Sequence, residues 1–144
     1  MKTIAAIILA TIFLSIALLH VYWVFGGKWG LNSAMPNTMK EQVMIVSRRS
    51  WFKIATLIVA LGLFLMAYIF LIQAGVAKSP VVYRYVEYAT YAVCGIFLLR
   101  AIGDFKYCGF FKSIKEGDFA RSDTKYFSPL CLFISILTLV VIYL

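Results

Sequence analysis

The sequence predicts an all-α, polytopic membrane protein with four transmembrane helices in a compact bundle. Three observations carry this expectation. First, the 144 residues are 63% hydrophobic and only 14% charged, whereas soluble domains run at about 45–50% and about 25%. Second, uncharged runs of 25, 24 and 19 residues cover 3–27, 54–77 and 126–144, and a spanning helix needs about 20 mostly apolar residues. Third, these runs show none of the apolar–polar alternation of a membrane barrel strand. A soluble chain this short could not enclose so much apolar surface. The same figures exclude a disordered segment, a nucleic-acid-binding tail and a typical cytosolic enzyme.

The expected helices are about 3–25, 52–76, 81–102 and 126–144, in a single domain, with loops at about 26–51 and 103–125. Lys2 before a long apolar run resembles a secretory signal. The run, however, exceeds the usual core of about 7–15 residues, and no convincing small-x-small cleavage site precedes His20, so it is read as the first helix. The second helix is apolar throughout, and its alanines and glycines allow close packing. The third carries Arg84, Glu87 and Arg100, all near its ends, where long basic side chains can reach headgroups. A short connection at about 76–80 makes helices two and three antiparallel neighbours.

Orientation follows from charge placement. Lys2, Lys78 and Arg84 lie on the side of the termini, three basic residues against eleven on the other side, among them Lys28, Arg48, Arg49, Lys106, Lys112 and Lys125. The positive-inside rule then puts both long loops in the cytoplasm and both termini outside a plasma (inner) membrane. The net charge of +8 points to anionic lipid headgroups as partners rather than nucleic acid. A homo-oligomer or membrane partner also fits the apolar surface. Three cysteines without a CxxC spacing predict neither disulfide nor zinc site. A single histidine gives haem poor support, so no cofactor is expected.

The loops have distinct characters. In the first, Trp23 and Trp29 suit the headgroup layer. Thr38-x-x-Glu41 matches a capping box ahead of a short surface helix carrying Met39, Val43, Met44 and Val46. The other long loop interleaves Phe105, Tyr107, Phe110, Phe111 and Phe119 with Lys106, Lys112 and Lys115, the aromatics dipping into the interface and the lysines meeting lipid phosphates.

These loop residues carry a resemblance. His20-x-x-Trp23 with Gly26-Gly27-x-Trp29-Gly30 and Pro36 forms one signature. Arg100-x-x-Gly103-Asp104-Phe-x-Tyr107-x-Gly109-Phe110 forms a second, and Asp123-Thr124-x-Tyr126-x-Ser128-Pro129-Leu130 a third. Together they resemble a bacterial family named as domain of unknown function 3995. The resemblance spans nearly the whole chain. It implies a compact four-helix membrane protein and supplies no activity.

Depth places the signatures together. His20, Trp23 and Gly27 share a face of helix one at i, i+3 and i+7. Arg100 and Asp104 are spaced for a salt bridge if the helix continues, and Asp123 and Tyr126 precede helix four. His20, Trp23, Trp29, Arg100, Asp104, Tyr107, Asp123 and Tyr126 would thus line the cytoplasmic mouth of the bundle. They would bind a lipid-like or small amphipathic ligand, with Arg100 gripping a headgroup or carboxylate. In a purely structural reading, Arg100 pairs with Asp104, Asp123 caps helix four, and His20 bonds a backbone carbonyl. Two other functions remain open. One is a small oligomeric proton-coupled transporter using Glu87, with Arg84 and Tyr91 beside it, because an intramembrane acid is a functional hypothesis by default. The other is a membrane enzyme using His20 as acid or base on a lipophilic substrate.

Overall fold

The computed structural model describes residues 1–35, 50–79, 82–103, 106, 108–113 and 115–144. Four helices are long and apolar enough to cross a membrane, and no strand occurs among the described residues. Helix α1 is Lys2–Val24. A one-turn helix α2, Leu31–Ala34, follows it. Helix α3 is Ser50–Gln73 and α4 is Tyr83–Ile102. The last, α5, runs Asp118–Tyr143. It is α-helical over Asp118–Ser122 and Ser128–Tyr143, with one π-helical turn, Asp123–Phe127, between them. Even the shortest span, the 20 residues of α4, reaches about 30 Å, the thickness of a bilayer's hydrocarbon core. The chain is a multi-pass membrane protein.

Small residues on one stripe set the tightest contact. Ala6, Ala10, Phe13 and Ala17 on α1 are buried and recur at helical spacing. Ala60, Leu63, Ala67 and Phe70 do the same on α3. Lipid tails are as apolar as leucine, so helices in a bilayer associate by close packing, and alanine lets backbones approach. Phe13 anchors the seam, stacked on Phe70 at 5.6 Å between ring centroids and edge-on to Phe97 of α4 at 5.2 Å.

Helix α1 packs against α3 and also against α5, and α5 packs against α4. Cys94 and Ser135 knit the second pair: the Ser135 hydroxyl donates to the Cys94 carbonyl at 3.3 Å. Helices α3 and α4, adjacent in sequence, touch much less. Their link is polar: Gln73, the last residue of α3, donates to Thr90 at 3.0 Å and accepts from the Tyr83 hydroxyl.

Two boundaries differ from expectation. Helix α1 ends at Val24, so Gly27 does not share a helical face with His20 and Trp23. The last helix starts at Asp118, eight residues before the uncharged run begins. The expected surface helix and its capping box fall within 36–49, outside the described residues.

Candidate functional site

The site begins where α4 stops. Gly103 takes φ of 94°, a left-handed value that glycine adopts freely, and its N–H still bonds the Leu99 carbonyl at 2.8 Å. The chain then doubles back. Phe110 N–H reaches the Ala101 carbonyl at 2.9 Å, and Gly109 lies against Gly103. A Cβ on Gly103 would fall 1.8 Å from the Cys108 carbonyl oxygen, and one on Gly109 2.3 Å from the Ile102 carbonyl oxygen. Neither position can carry a side chain in this fold.

That fold-back delivers two donors to Asp123. Gly109 N–H and the Lys112 ammonium donate to its Oδ2 at 2.9 and 2.7 Å. Arg100 Nη2 donates to Oδ1 at 2.9 Å, and the Ser128 hydroxyl to Oδ2 at 3.1 Å. Asp123 is fully buried, and the Lys112 side chain is 2% exposed. Burying a charge is costly unless it is paired and hydrogen-bonded; here one carboxylate satisfies that condition with two cations and two neutral donors.

The π turn aims the carboxylate. Pro129 has no N–H, and its ring would clash with the carbonyl four residues back in a regular α-helix. The turn ahead of it is therefore widened, and Ser128 N–H bonds the carbonyl of Asp123, five residues earlier. Asp123 is the first residue of the bulge and Ser128 follows its last, so both side chains face α4. Single π turns of this kind occur often at functional sites.

Arg100 occupies the last turn of α4, where its charge meets the negative end of the helix dipole. Its side chain is 34% exposed. Nη2 is bound to Asp123, while Nη1 is buried and has no hydrogen-bond partner among the described residues.

A second cluster lies in the first loop. The indole N–H of Trp23 donates to the Trp29 carbonyl at 2.9 Å, closing the loop. Trp23 is buried with Leu31 and Met35, whereas Trp29 is 75% exposed. His20 Nδ1 lies 2.8 Å from the Ile16 carbonyl. A carbonyl only accepts, so Nδ1 carries the proton. The His20 ring sits 4.9 Å from that of Trp23. Helix α2 rests against the first turn of α5, which sets this cap beside the segment leading into Asp123.

Residues 13–138 match the model of a family described as protein of unknown function (DUF3995). The chain belongs to that family. Searches of curated proteins and of solved structures give no match.

In this DUF3995 chain the second and third signatures meet in one ion cluster: Arg100, Gly103 and Gly109 from one, Asp123, Ser128 and Pro129 from the other. The first signature builds the separate tryptophan-locked cap; no described hydrogen bond, ion pair or ring contact joins it to Arg100 or Asp123. The helical spacing on which the expected Arg100–Asp104 pair rests stops at Ile102, where α4 ends, and among the described residues Arg100 pairs with Asp123. Asp104 and Tyr107 lie outside the described residues. Asp123 does not cap the helix; it sits one turn inside it. Tyr126 points outward, 56% exposed, with the Lys125 ammonium 5.1 Å from its ring centroid.

Lys112 is the residue that sequence reasoning misplaced. It was expected at the lipid phosphates beside Lys106 and Lys115. No sequence signal separates it from those two; only the Gly103–Gly109 fold-back turns it inward.

The outer charges of α4 point away from the bundle. Arg84, Glu87 and Tyr91 are exposed, while Val86, Thr90, Val93 and Cys94 form the buried face. Gln73 reaches both Tyr83 and Thr90, so Glu87 lies level with the end of α3, on its outer side. Among the described residues no cluster of three or more His, Cys, Asp or Glu could hold a metal ion. A groove of about 470 Å³ runs along α1 past Ile8, Ile12 and Ile16 to Leu130. The Thr11 and Ser15 hydroxyls beside it donate to their own helix, which leaves an apolar lining.

Proposed function

We propose that this DUF3995 protein binds the anionic group of a lipid-like or small amphipathic ligand at the loop-bearing end of its bundle, with Arg100 gripping that group. One observation carries the reading: Arg100 holds Asp123 with one guanidinium nitrogen and leaves the other buried without a partner among the described residues. An unsatisfied buried donor costs about 1–3 kcal/mol, and more when charged. A phosphate or carboxylate oxygen satisfies such a nitrogen with a charge-assisted bond once the nitrogen is uncovered. Exposed Trp29, Phe110, Phe111 and Tyr126 at the same end offer surface for the apolar part. The basic-residue asymmetry supports placing this end in the cytoplasm of a bacterial inner membrane, with the termini outside.

The test is Arg100→Lys. Lysine keeps a point charge for Asp123 but lacks the second arm of the fork. Lipids retained by the purified protein are identified by mass spectrometry. Loss of one charge-assisted bond, about 1.5–3 kcal/mol, should lower retention of an anionic lipid at least roughly tenfold, with little change in melting temperature. Equal retention by the variant overturns the reading.

A further inference from the structure

The charge count of the cluster bears on which anion it takes, and the inference rests on the anion-binding reading of Arg100. Among the described residues, Arg100 and Lys112 bring two positive charges to the single negative charge of Asp123. Lys112 and Asp123 are sealed from solvent, and Arg100 is open along one edge. The cluster formed by the described residues is therefore one positive charge in excess, in a place where unbalanced charge is expensive.

We propose that the ligand group is a monoanion, either a phosphodiester headgroup or a carboxylate, and that the site discriminates against phosphate monoesters. One negative charge brings the cluster to neutrality. A phosphate monoester carries about −1.5 to −2 at neutral pH and replaces a positive excess with a negative one, at a similar desolvation cost. Donor number points the same way. Nη1 offers two diverging N–H groups, enough to engage a carboxylate or a diester but not to saturate a group with three anionic oxygens. The Ser128 hydroxyl, the Gly109 N–H and one Lys112 bond are already committed to Asp123, so little remains for the third oxygen of a monoester.

The experiment is a competition on the delipidated full-length protein in a non-ionic detergent, read by native mass spectrometry. The probes are short-chain phosphatidylglycerol, dodecanoate, short-chain phosphatidate and, as the uncharged control, short-chain diacylglycerol. Phosphatidylglycerol or dodecanoate should bind at least roughly tenfold more tightly than phosphatidate, and whichever of the two wins identifies the diester or the carboxylate as the group held. Lys112→Met, which neutralises the cluster while leaving Arg100 and Asp123 in place, should weaken the monoanion at least roughly tenfold. Asp123→Asn, which raises the excess to two, should shift preference toward phosphatidate. Equal or tighter phosphatidate binding by the unmodified protein overturns the monoanion inference alone. If none of the three anions outcompetes diacylglycerol, the anion-binding reading falls and the inference with it. The comparison among probes on the unmodified chain needs no variant to fold.

Discussion

Four donors converge on Asp123, and two of them are cations with no other described acceptor. Removing the carboxylate therefore leaves Lys112 as an uncompensated buried charge. Asp123→Ala is expected to cost about 3–5 kcal/mol, the usual penalty for breaking a buried pair from one side, read as a lowered melting temperature in detergent. Replacing the pair together, Asp123→Leu with Lys112→Met, should recover part of that loss, because the stranded charge goes too. A double variant less stable than Asp123→Ala would show that Lys112 has another partner. Arg100 and Asp123 were both legible in the sequence as candidates. Their pairing was not. The i+4 arithmetic that joined Arg100 to Asp104 assumes a continuing helix, and Gly103 ends it. A contact across 23 positions depends on how two helices dock, which no local spacing encodes.

At the scale of elements, α5 is the informative one. Its apolar part, Ser128–Tyr143, was legible from the absence of charge. Its first turns were not, because Asp118, Arg121, Asp123 and Lys125 read as loop when charge is the criterion. Asp118, Arg121 and Lys125 are exposed, and Asp123 is neutralised within the fold. A hydropathy pattern cannot distinguish a charge that is paired inside from one that marks solvent. The π turn was equally invisible, although Pro129 is its physical cause. Deleting Thr124 should remove the extra residue and close the turn as regular α-helix. Asp123 then swings by about 100° around the axis, away from Ser128 and Arg100. The deletion should melt about as early as Asp123→Ala while helix content by circular dichroism stays near that of the parent. A deletion that melts like the parent would show that the bulge does not aim the carboxylate.

For the molecule as a whole, the four spans and the membrane class followed from length and apolar content alone, because a bilayer imposes a minimum helix length. The neighbour relations did not. The short connection suggested that α3 and α4 are neighbours, and they do touch through Gln73, yet the tighter pairs are α1 with α3 and α4 with α5, since small residues rather than connection length decide which helices approach most closely. Orientation is argued from eleven basic residues against three and is tested by labelling. In a Cys108→Ser background, a membrane-impermeant maleimide should modify Lys78→Cys in intact cells and should reach Lys115→Cys only after the membrane is opened; both positions are exposed. The reverse pattern would place the ion cluster outside.

The pairing of α1 with α3 and of α4 with α5 has a consequence for biosynthesis. A chain is inserted from its N-terminus, so the α1–α3 hairpin can close once Gln73 has been made. Arg100 reaches the bilayer ahead of Asp123, which follows 23 positions later in the chain. Until the final helix arrives, the guanidinium must be carried by water, headgroups or the insertion machinery, and the two halves join only when Asp123 takes it up. The two halves of this membrane protein thus join late, through a polar contact rather than an apolar one.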